Sequence, residues 1–328
     1  MIHDALFWKE EDNRARCFLC PHHCLIGNEK YGLCSARTNQ AGKLKTINYG
    51  EISSMAVDPV EKKPLYHFKP GKRILSVGSF GCNFSCDFCQ NYSIAQSRAK
   101  SEYLPPEQLA ACSMAPSGNI GIAFTYNEPS IWFEYVYDTV RKLKESYPDK
   151  KAVLVTNGYI GPEALDMLLP FIDAMNIDLK SIHEDYYKKV CGGDVGAVQK
   201  TIEAAYRKCH VEITTLLVNG LNDSMEETEA IASWLAALDK NIPLHLSRYF
   251  PAYRMTRPAT EESVMVEAKK RAEKHLNYVY LGNMWDTDSS TYCPECGKLL
   301  IERQGSSVGV LTDQPVCPDC GAPVPIIL

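Results

Sequence analysis

Three cysteines stand within eight positions in the stretch GCNFSCDFCQN, residues 81–91. Thiolates bind zinc and iron–sulfur clusters, and structural sites of both kinds normally take four protein ligands. The spacing of Cys82, Cys86 and Cys89 predicts a [4Fe–4S] cluster with one iron that no cysteine binds. That iron has an open coordination position, as the ion of a catalytic zinc site has. The alternatives are a zinc site that a distant His or Cys completes and a group of unligated thiols.

Two further cysteine groups stand near the two ends of the chain. The first has the spacing C-x2-C-x3-C-x9-C, and we expect structural zinc or an auxiliary iron–sulfur cluster, with His22 and His23 as substitute ligands. The second joins CPEC to CPDC and predicts a zinc ribbon, since each CPxC turn directs two thiolates at one ion; an iron–sulfur cluster is the alternative. The ligands are Cys17, Cys20, Cys24 and Cys34 in the first group and Cys293, Cys296, Cys317 and Cys320 in the second.

The bulk composition is that of an ordinary globular protein. The chain has 328 residues, 45% hydrophobic and 23% charged, and a net charge of −5. We therefore expect no nucleic-acid partner, and no apolar run approaches the length of a membrane span. The N-terminus carries charges too early for a signal peptide, so we expect a cytoplasmic protein. In a reducing compartment, clustered cysteines more often hold metal than form disulfides.

Short apolar runs alternate with longer amphipathic segments from about residue 73 onward. Repeated strand-then-helix units predict an α/β fold with a parallel sheet, and six units are too few for an eight-unit barrel. An open or partial barrel of six units, (β/α)6, therefore fits better than a doubly wound sheet. The predicted strands are 73–80, 119–124, 151–156, 173–179, 211–217 and 243–249, with a strand-like run at 278–282. We divide the chain into a Cys-rich N-terminal segment (1–70), the barrel (71–285) and a zinc-ribbon-like module (286–328).

Polar side chains follow most of these predicted strands. In a parallel barrel the carboxyl ends of the strands share one rim, where ligands bind. The candidate binding residues on this rim are Asn127, Glu128, Thr156, Asn157, Asp178, Lys180, His245 and Arg248.

The CxxxCxxC spacing directly after a predicted strand resembles the hallmark of the radical S-adenosylmethionine (radical SAM) superfamily. The resemblance implies that the open iron binds the amino and carboxylate groups of SAM. It implies that an electron from the cluster cleaves SAM to a 5′-deoxyadenosyl radical, which abstracts a hydrogen atom. It also implies the partial barrel, a contact between Phe88 and the adenine, and a low-potential electron donor such as flavodoxin or ferredoxin.

The remaining candidates fit the chemical groups of SAM. Asn127 and Glu128 are expected at its ammonium group, although YNEP (126–129) departs from the usual GGEP at both glycines. Thr156 and Asn157 are expected to make polar contacts. NIDLK resembles the DLK motif of glycyl-radical-enzyme activases, which implies that Asp178 and Lys180 help to bind SAM. His245 resembles a SAM-contacting histidine of those activases, and Arg248 is the other candidate for that contact. The alternative is that His245 is a buried core histidine.

Several motifs together narrow the resemblance. The chain resembles the radical SAM member of the AmmeMemoRadiSam set, which is related to pyruvate formate-lyase activating enzymes. The motifs that carry this resemblance are CPHHC, GLCSAR, DPVEKKPLYHF, TYNEP, TNGY and NIDLK. We expect an enzyme that acts on a protein partner in the manner of a glycyl-radical activase. The alternatives are radical modification of a small molecule and a non-catalytic metal scaffold. The open cysteine triplet argues against the scaffold, because structural metal sites are coordinatively closed.

Overall fold

The computed structural model describes residues 2–115, 117–285, 287–305 and 307–328. At its centre is an eight-stranded sheet whose strands follow one another in chain order. The strands are β1 (Ser54–Pro59), β2 (Arg73–Gly78), β3 (Asn119–Phe124), β4 (Lys151–Thr156), β5 (Ala174–Asp178), β6 (His210–Leu217), β7 (Leu244–Arg248) and β8 (Val279–Gly282).

The seven strands β2–β8 are parallel, and β1 is antiparallel to β2 at one edge. The strand order never reverses, so the sheet is not doubly wound. All seven predicted strands are present, and the α/β fold of a partial barrel is confirmed. A parallel strand that is covered on both faces carries apolar side chains on both faces. Such strands could therefore be predicted from short apolar runs in the sequence.

Helices cross over between the parallel strands. They are α1 (Tyr92–Ala95), α2 (Pro106–Cys112), α3 (Phe133–Ser146), α4 (Pro162–Leu168), α5 (Glu184–Tyr186), α6 (Val195–Tyr206), α7 (Met225–Asp239) and α8 (Glu262–Ala272). A π-helical turn, Tyr187–Cys191, follows α5, and 3-10 turns cover Val60–Lys62, Pro129–Trp132 and Leu169–Phe171. Prolines open α2 and α4, where a missing N–H costs nothing, and Asp194 and Ser224 cap α6 and α7.

The two faces of the sheet pack against different parts of the chain. The main core joins the sheet to the helices. On the other face, Val60, Leu65 and Phe68 pack against apolar residues such as Ala123 and Val153 of β3 and β4. The segment before β2 therefore fills the interior of the partial barrel.

A buried charge lies in the same interior. Glu212 of β6 is fully buried, and its carboxylate accepts from the backbone N–H groups of Tyr66 (2.9 Å) and His67 (2.7 Å). His210 and His245 contact the same carboxylate at 2.9 Å and 2.7 Å. Burial alone would raise the pKa of Glu212, but the two histidines hold it well below its usual range. Glu212, His210 and His245 form what we call the charged layer. This layer fixes the segment before β2 to the barrel, together with the apolar packing described above.

Small antiparallel sheets flank the barrel at both ends of the chain. Before β1, one sheet comprises Trp8–Glu11, Arg14–Cys17 and Leu25–Ile26, and another His3–Asp4, Arg37–Gln40 and Lys43–Thr46. Glu51–Ile52 pairs with Glu102–Tyr103. After β8, Thr291–Tyr292, Leu299–Gln304 and Ser307–Val310 form a three-stranded sheet. The three-part division of the chain stays a prediction, and β1 (54–59) lies within the central sheet although it precedes residue 71.

The C-terminal sheet is anchored to the barrel by Arg303. Its guanidinium donates to the carbonyl of Tyr66 (2.6 Å) and the hydroxyl of Thr291 (2.8 Å), and it lies 4.4 Å from the Tyr66 ring centroid. The C-terminal module therefore reaches the same interior segment as Glu212. Among the helices of the described residues, none is both long enough and apolar enough to cross a membrane.

Candidate functional site

The carboxyl ends of the parallel strands and the loop 81–91 surround a cavity of about 270 Å³. Strand ends meet here because the strands are parallel and in register. Ten of the residues predicted from sequence line it: Cys82, Cys86, Phe88, Cys89, Asn127, Glu128, Thr156, Asn157, Asp178 and Lys180. The structure thus gathers the thiol loop and the polar ends of β3, β4 and β5 around one space.

Asn157 ties the end of β4 to the thiol loop. Its side-chain N–H donates to Cys82 Sγ at 3.7 Å and to Asn83 Oδ1 at 2.8 Å, while Oδ1 accepts from the N–H of Tyr159 at 2.8 Å. Asn83 in turn donates to the carbonyl of Tyr159 at 2.6 Å. An N–H donor at a thiolate stabilises its negative charge, so Asn157 is placed to tune whatever Cys82 binds.

Glu128 is a buried clamp between the ends of β3 and β4. Its carboxylate accepts from Ser130 N (2.9 Å), Thr156 Oγ1 (2.6 Å) and Asn157 N (2.8 Å). Burial raises the pKa of Glu128, and these three donors oppose that rise. Most of its acceptor capacity is therefore used inside the protein, which makes Glu128 a positioning residue in this structure.

Asn127 has a similar internal role. Its Oδ1 accepts from the N–H of Ser79 (2.9 Å), and its Nδ2 donates to the carbonyl of Gly81 (3.0 Å). The preceding residue, Tyr126, has a φ of 71°, a left-handed conformation. The YNEP turn therefore holds the start of the thiol loop through side-chain amide bonds instead of glycine backbone.

Asp178 and Lys180 form an ion pair at the cavity wall, with Nζ and Oδ2 2.7 Å apart. Burial disfavours the ammonium, but Asp178 and the thiols of Cys86 and Cys191 outweigh it and raise the pKa of Lys180 well above its usual range. Lys180 Nζ also lies 5.8 Å from the ring centroid of Phe88. The cavity thus offers one fixed cation and one carboxylate that is a third exposed, beside an aromatic ring.

A fourth cysteine, which was not predicted at this site, lies against the triplet. Cys191 is fully buried at the end of the π-helical turn, and its thiol hydrogen-bonds to Cys86. That bond lowers the pKa of Cys86, while burial raises the pKa of Cys191 well above the ordinary value. Two backbone bonds, Ser85 N to Cys191 O (2.9 Å) and Asp87 N to Val190 O (3.3 Å), fix this contact.

His245 and Arg248 are not among the described residues that line the cavity. His245 lies in the charged layer, with Nε2 2.7 Å from Glu212 and its ring 4.7 Å from that of Tyr66. This is the buried core histidine that the sequence left as an alternative. Arg248 donates to the carbonyl of Thr260 (2.7 Å) and pairs with Glu262 (2.6 Å), so its charge is engaged away from the cavity.

Other polar residues at the cavity were not predicted individually. They are Gln90, Asn91, Gln96, Thr125, Tyr126, Thr214, Ser247 and Asn283. The alternation of side chains along β6 and β7 was a usable signal, because Thr214 and Ser247 lie in the second half of their strands and line the cavity. Asn283 follows β8 directly, where the same rule of strand ends applies.

The cysteine groups differ in how tightly their sulfurs are gathered. The Cys293–Cys320 and Cys296–Cys317 pairs have Sγ atoms 3.6 Å apart, and all four sulfurs lie within 4.8 Å of one another. Tetrahedral zinc with Zn–S bonds of about 2.3 Å needs sulfurs about 3.8 Å apart. The C-terminal group therefore fits one four-thiolate ion. Among the described residues, no other three His, Cys, Asp or Glu ligand atoms come this close together.

Within the described residues, the three sulfurs at the cavity are thus not gathered around one point as the C-terminal four are. An iron–sulfur cubane binds each thiolate at a different iron, which spreads the sulfurs apart. Three buried or half-buried sulfurs lining one cavity, with an N–H donor at Cys82 and a thiol donor at Cys86, fit such a cluster.

Comparisons with known proteins agree with this geometry. The family model "Radical SAM superfamily" matches residues 76–235. An uncharacterized protein of Methanocaldococcus jannaschii is 36% identical over 100% of both chains. The structure of Streptococcus suis SuiB bound to the precursor peptide SuiA is similar with a TM-score of 0.51 and 13% identity, over 68% of this chain and 51% of SuiB. SuiB bound to S-adenosylmethionine has a TM-score of 0.50 and 12% identity, over 64% and 51%.

The chain belongs to the radical SAM superfamily. Membership implies an enzyme with a [4Fe–4S] cluster and SAM. The likeness to SuiB, at 12–13% identity, is a likeness of fold.

Proposed function

We propose that Cys82, Cys86 and Cys89 hold a [4Fe–4S] cluster and that SAM occupies the cavity beside it. The observation that carries this proposal is that the three sulfurs share one cavity with the Asp178–Lys180 pair. When bound, the cluster would supply the electron, received from an external low-potential donor, that cleaves the sulfonium bond of SAM into methionine and the 5′-deoxyadenosyl radical.

The chain's own residues bind and orient. Lys180 is the cation that suits the SAM carboxylate, and Asp178 suits the ammonium or the ribose hydroxyls. The ring of Phe88 suits the adenine. Thr156 and Asn157 act through Glu128, which fixes the wall against which SAM rests.

The test is SAM cleavage by reconstituted, dithionite-reduced protein under anaerobic conditions. We expect 5′-deoxyadenosine with wild-type protein and none above background with Cys86→Ala. Cys209→Ser is the matched control, since this half-buried thiol lies outside the cysteine groups, and it should leave the yield unchanged. Equal product from wild type and Cys86→Ala would refute the proposal.

We further propose that the substrate is a protein segment, as for the glycyl-radical activases and the AmmeMemoRadiSam member that the motifs resemble. Exposed aromatic residues near the cavity support this. Tyr92 follows the thiol loop and stacks on Tyr253, with centroids 4.8 Å apart, and Trp285, two residues after the cavity residue Asn283, is 86% exposed. Exposed aromatic side chains are typical of surfaces that bind peptides. The alternative is a small-molecule substrate.

Deuterium transfer separates these two substrates. Extract of the encoding organism, grown in D2O, is divided into macromolecular and small-molecule fractions, and each is incubated with reduced enzyme and SAM. We expect deuterium in 5′-deoxyadenosine from the macromolecular fraction, and also from cells labelled with α-deuterated glycine alone. Transfer only from the small-molecule fraction would favour the alternative.

For the remaining metal sites, we propose zinc in the C-terminal group, because its sulfurs fit a single tetrahedral ion. A low-potential flavodoxin or ferredoxin is the proposed electron donor, and the cytoplasm the proposed location.

A further inference from the structure

We propose that the N-terminal group, Cys17, Cys20, Cys24 and Cys34, binds a second [4Fe–4S] cluster adjoining the first, and not the zinc ion that such a group also suits. The four side chains line one small cavity between the N-terminal sheets and the barrel. Three are buried and Cys24 is half-buried.

The distances between the sulfurs distinguish a zinc site from an iron–sulfur cluster site. All four sulfurs of the C-terminal group lie within 4.8 Å of one another, as one zinc ion requires. Among the described residues, no three thiol or imidazole ligand atoms of the N-terminal group do. In this respect the N-terminal group matches the cysteine triplet at the radical SAM site, where each thiolate binds a different iron. The same chain thus carries both spacings, and the N-terminal group has the wider one.

The surroundings of these sulfurs suit a charged cluster. Arg37 is 1% exposed and lines the same cavity, and its guanidinium donates to Cys17 Sγ at 3.7 Å. It also pairs with Glu134, yet its Nε finds no hydrogen-bond partner in the part of the chain that the structure describes. A buried guanidinium nitrogen without a partner is costly and calls for an acceptor.

The Arg37 donor at Cys17 bears directly on a cluster held by this group. Hydrogen bonds to the sulfurs stabilise the negative charge of an iron–sulfur cluster and help to set its potential.

The N-terminal group adjoins the radical SAM loop directly. His22 Nε2 lies 2.7 Å from the carbonyl oxygen of Asn83, the residue after Cys82. The carbonyl of Cys34 packs on Gly81, where an added Cβ would lie 2.5 Å from that oxygen. Only glycine fits at this contact, so the two cysteine groups are held side by side.

The decisive experiment uses the full chain with Cys82, Cys86 and Cys89 all replaced by alanine, reconstituted anaerobically with iron and sulfide in the presence of equimolar zinc. Because this variant lacks the radical SAM cluster, the result does not depend on the proposed function. We expect about four iron and four sulfide per chain and about one zinc, with the visible absorption and EPR signal of a reduced cubane. About two zinc and no iron, or no metal beyond one zinc, would overturn the proposal.

A second variant guards against misfolding of the triple substitution. Cys24→Ser alters the least buried ligand, and we expect iron to fall from about eight to about four per chain with zinc unchanged. Cys209→Ser should leave both metals unchanged. In reduced wild type, the adjoining clusters should broaden each other's EPR signals, and Cys24→Ser should abolish the broadening. Loss of zinc instead of iron from Cys24→Ser would contradict the proposal.

Discussion

Replacing Glu128 with glutamine tests whether this carboxylate organises the cavity or binds SAM directly. One carboxylate oxygen accepts from both Ser130 N and Thr156 Oγ1, and the other accepts from Asn157 N. A glutamine has one acceptor oxygen, which we expect at the shared position. Its amide nitrogen would then face the N–H of Asn157, so donor would meet donor.

The cost follows from the bonds that change. Losing a hydrogen bond to a charged group costs about 1.5–3 kcal/mol, and the two that remain become neutral and weaker. The raised pKa of Glu128 shows that burying its charge is unfavourable, and glutamine avoids part of that penalty. We expect a net loss of about 1–3 kcal/mol of unfolding free energy, with SAM cleavage reduced on the order of tenfold because Asn157 shifts from Cys82.

Denaturant unfolding of zinc-loaded protein measures the stability, and equilibrium dialysis of the reconstituted protein measures SAM affinity. Glu10→Gln is the control, since Glu10 lies exposed on the strand Trp8–Glu11. A variant within about 0.5 kcal/mol of wild type that binds SAM more than about 100-fold more weakly would refute the positioning role.

Three further outcomes follow from the same structure. Asn157→Ala removes the N–H donor to Cys82. One hydrogen bond is worth about 0.5–1.5 kcal/mol, so the midpoint potential of the cluster should fall by about 20–60 mV in a redox titration. An unchanged potential would contradict this role of Asn157. Burial lowers the pKa of His67 to about 3, so only the unfolded chain takes up its proton as the pH falls through about 6.5. Stability should drop by about 1.4 kcal/mol between pH 7.5 and 5.5 in denaturant unfolding, and a His67→Gln variant with the same slope would refute that origin. Cys296→Ser should reduce bound zinc from about one to none per chain by elemental analysis, with iron unchanged; retained zinc would place the ion elsewhere.

The parallel strands and the thiol loop were readable from sequence because each depends on local pattern. A strand covered on both faces is a short apolar run, and the cluster cysteines are neighbours in the chain. The polar strand ends also follow from local pattern once the strands are parallel, which is why Asp178 and Lys180 were found. Their pairing at 2.7 Å needed the structure.

Contacts between distant segments were not readable. Cys191 meets Cys86 through a π-helical turn more than a hundred residues later, and nothing local marks it as different from a core thiol. His245 was assigned to the cavity, but it contacts Glu212, whose other partners are His210 of the same strand and the backbone N–H groups of residues 66–67 before the barrel. One feature of the sequence could have predicted this role of His245. A glutamate inside the apolar strand VEITTLL needs hydrogen-bonding or charged partners when it is buried.

If three cysteines leave one iron of the cluster free for SAM, the amino nitrogen and a carboxylate oxygen of SAM bind that iron. The direct measurement is electron–nuclear double resonance on the reduced cluster with SAM labelled with 15N in its amino group and 17O in its carboxylate. We predict hyperfine coupling to both labels, in wild type and equally in Cys191→Ala. Absence of both couplings in wild type, with SAM bound at saturating concentration, would show that SAM does not bind the cluster and would refute the open iron.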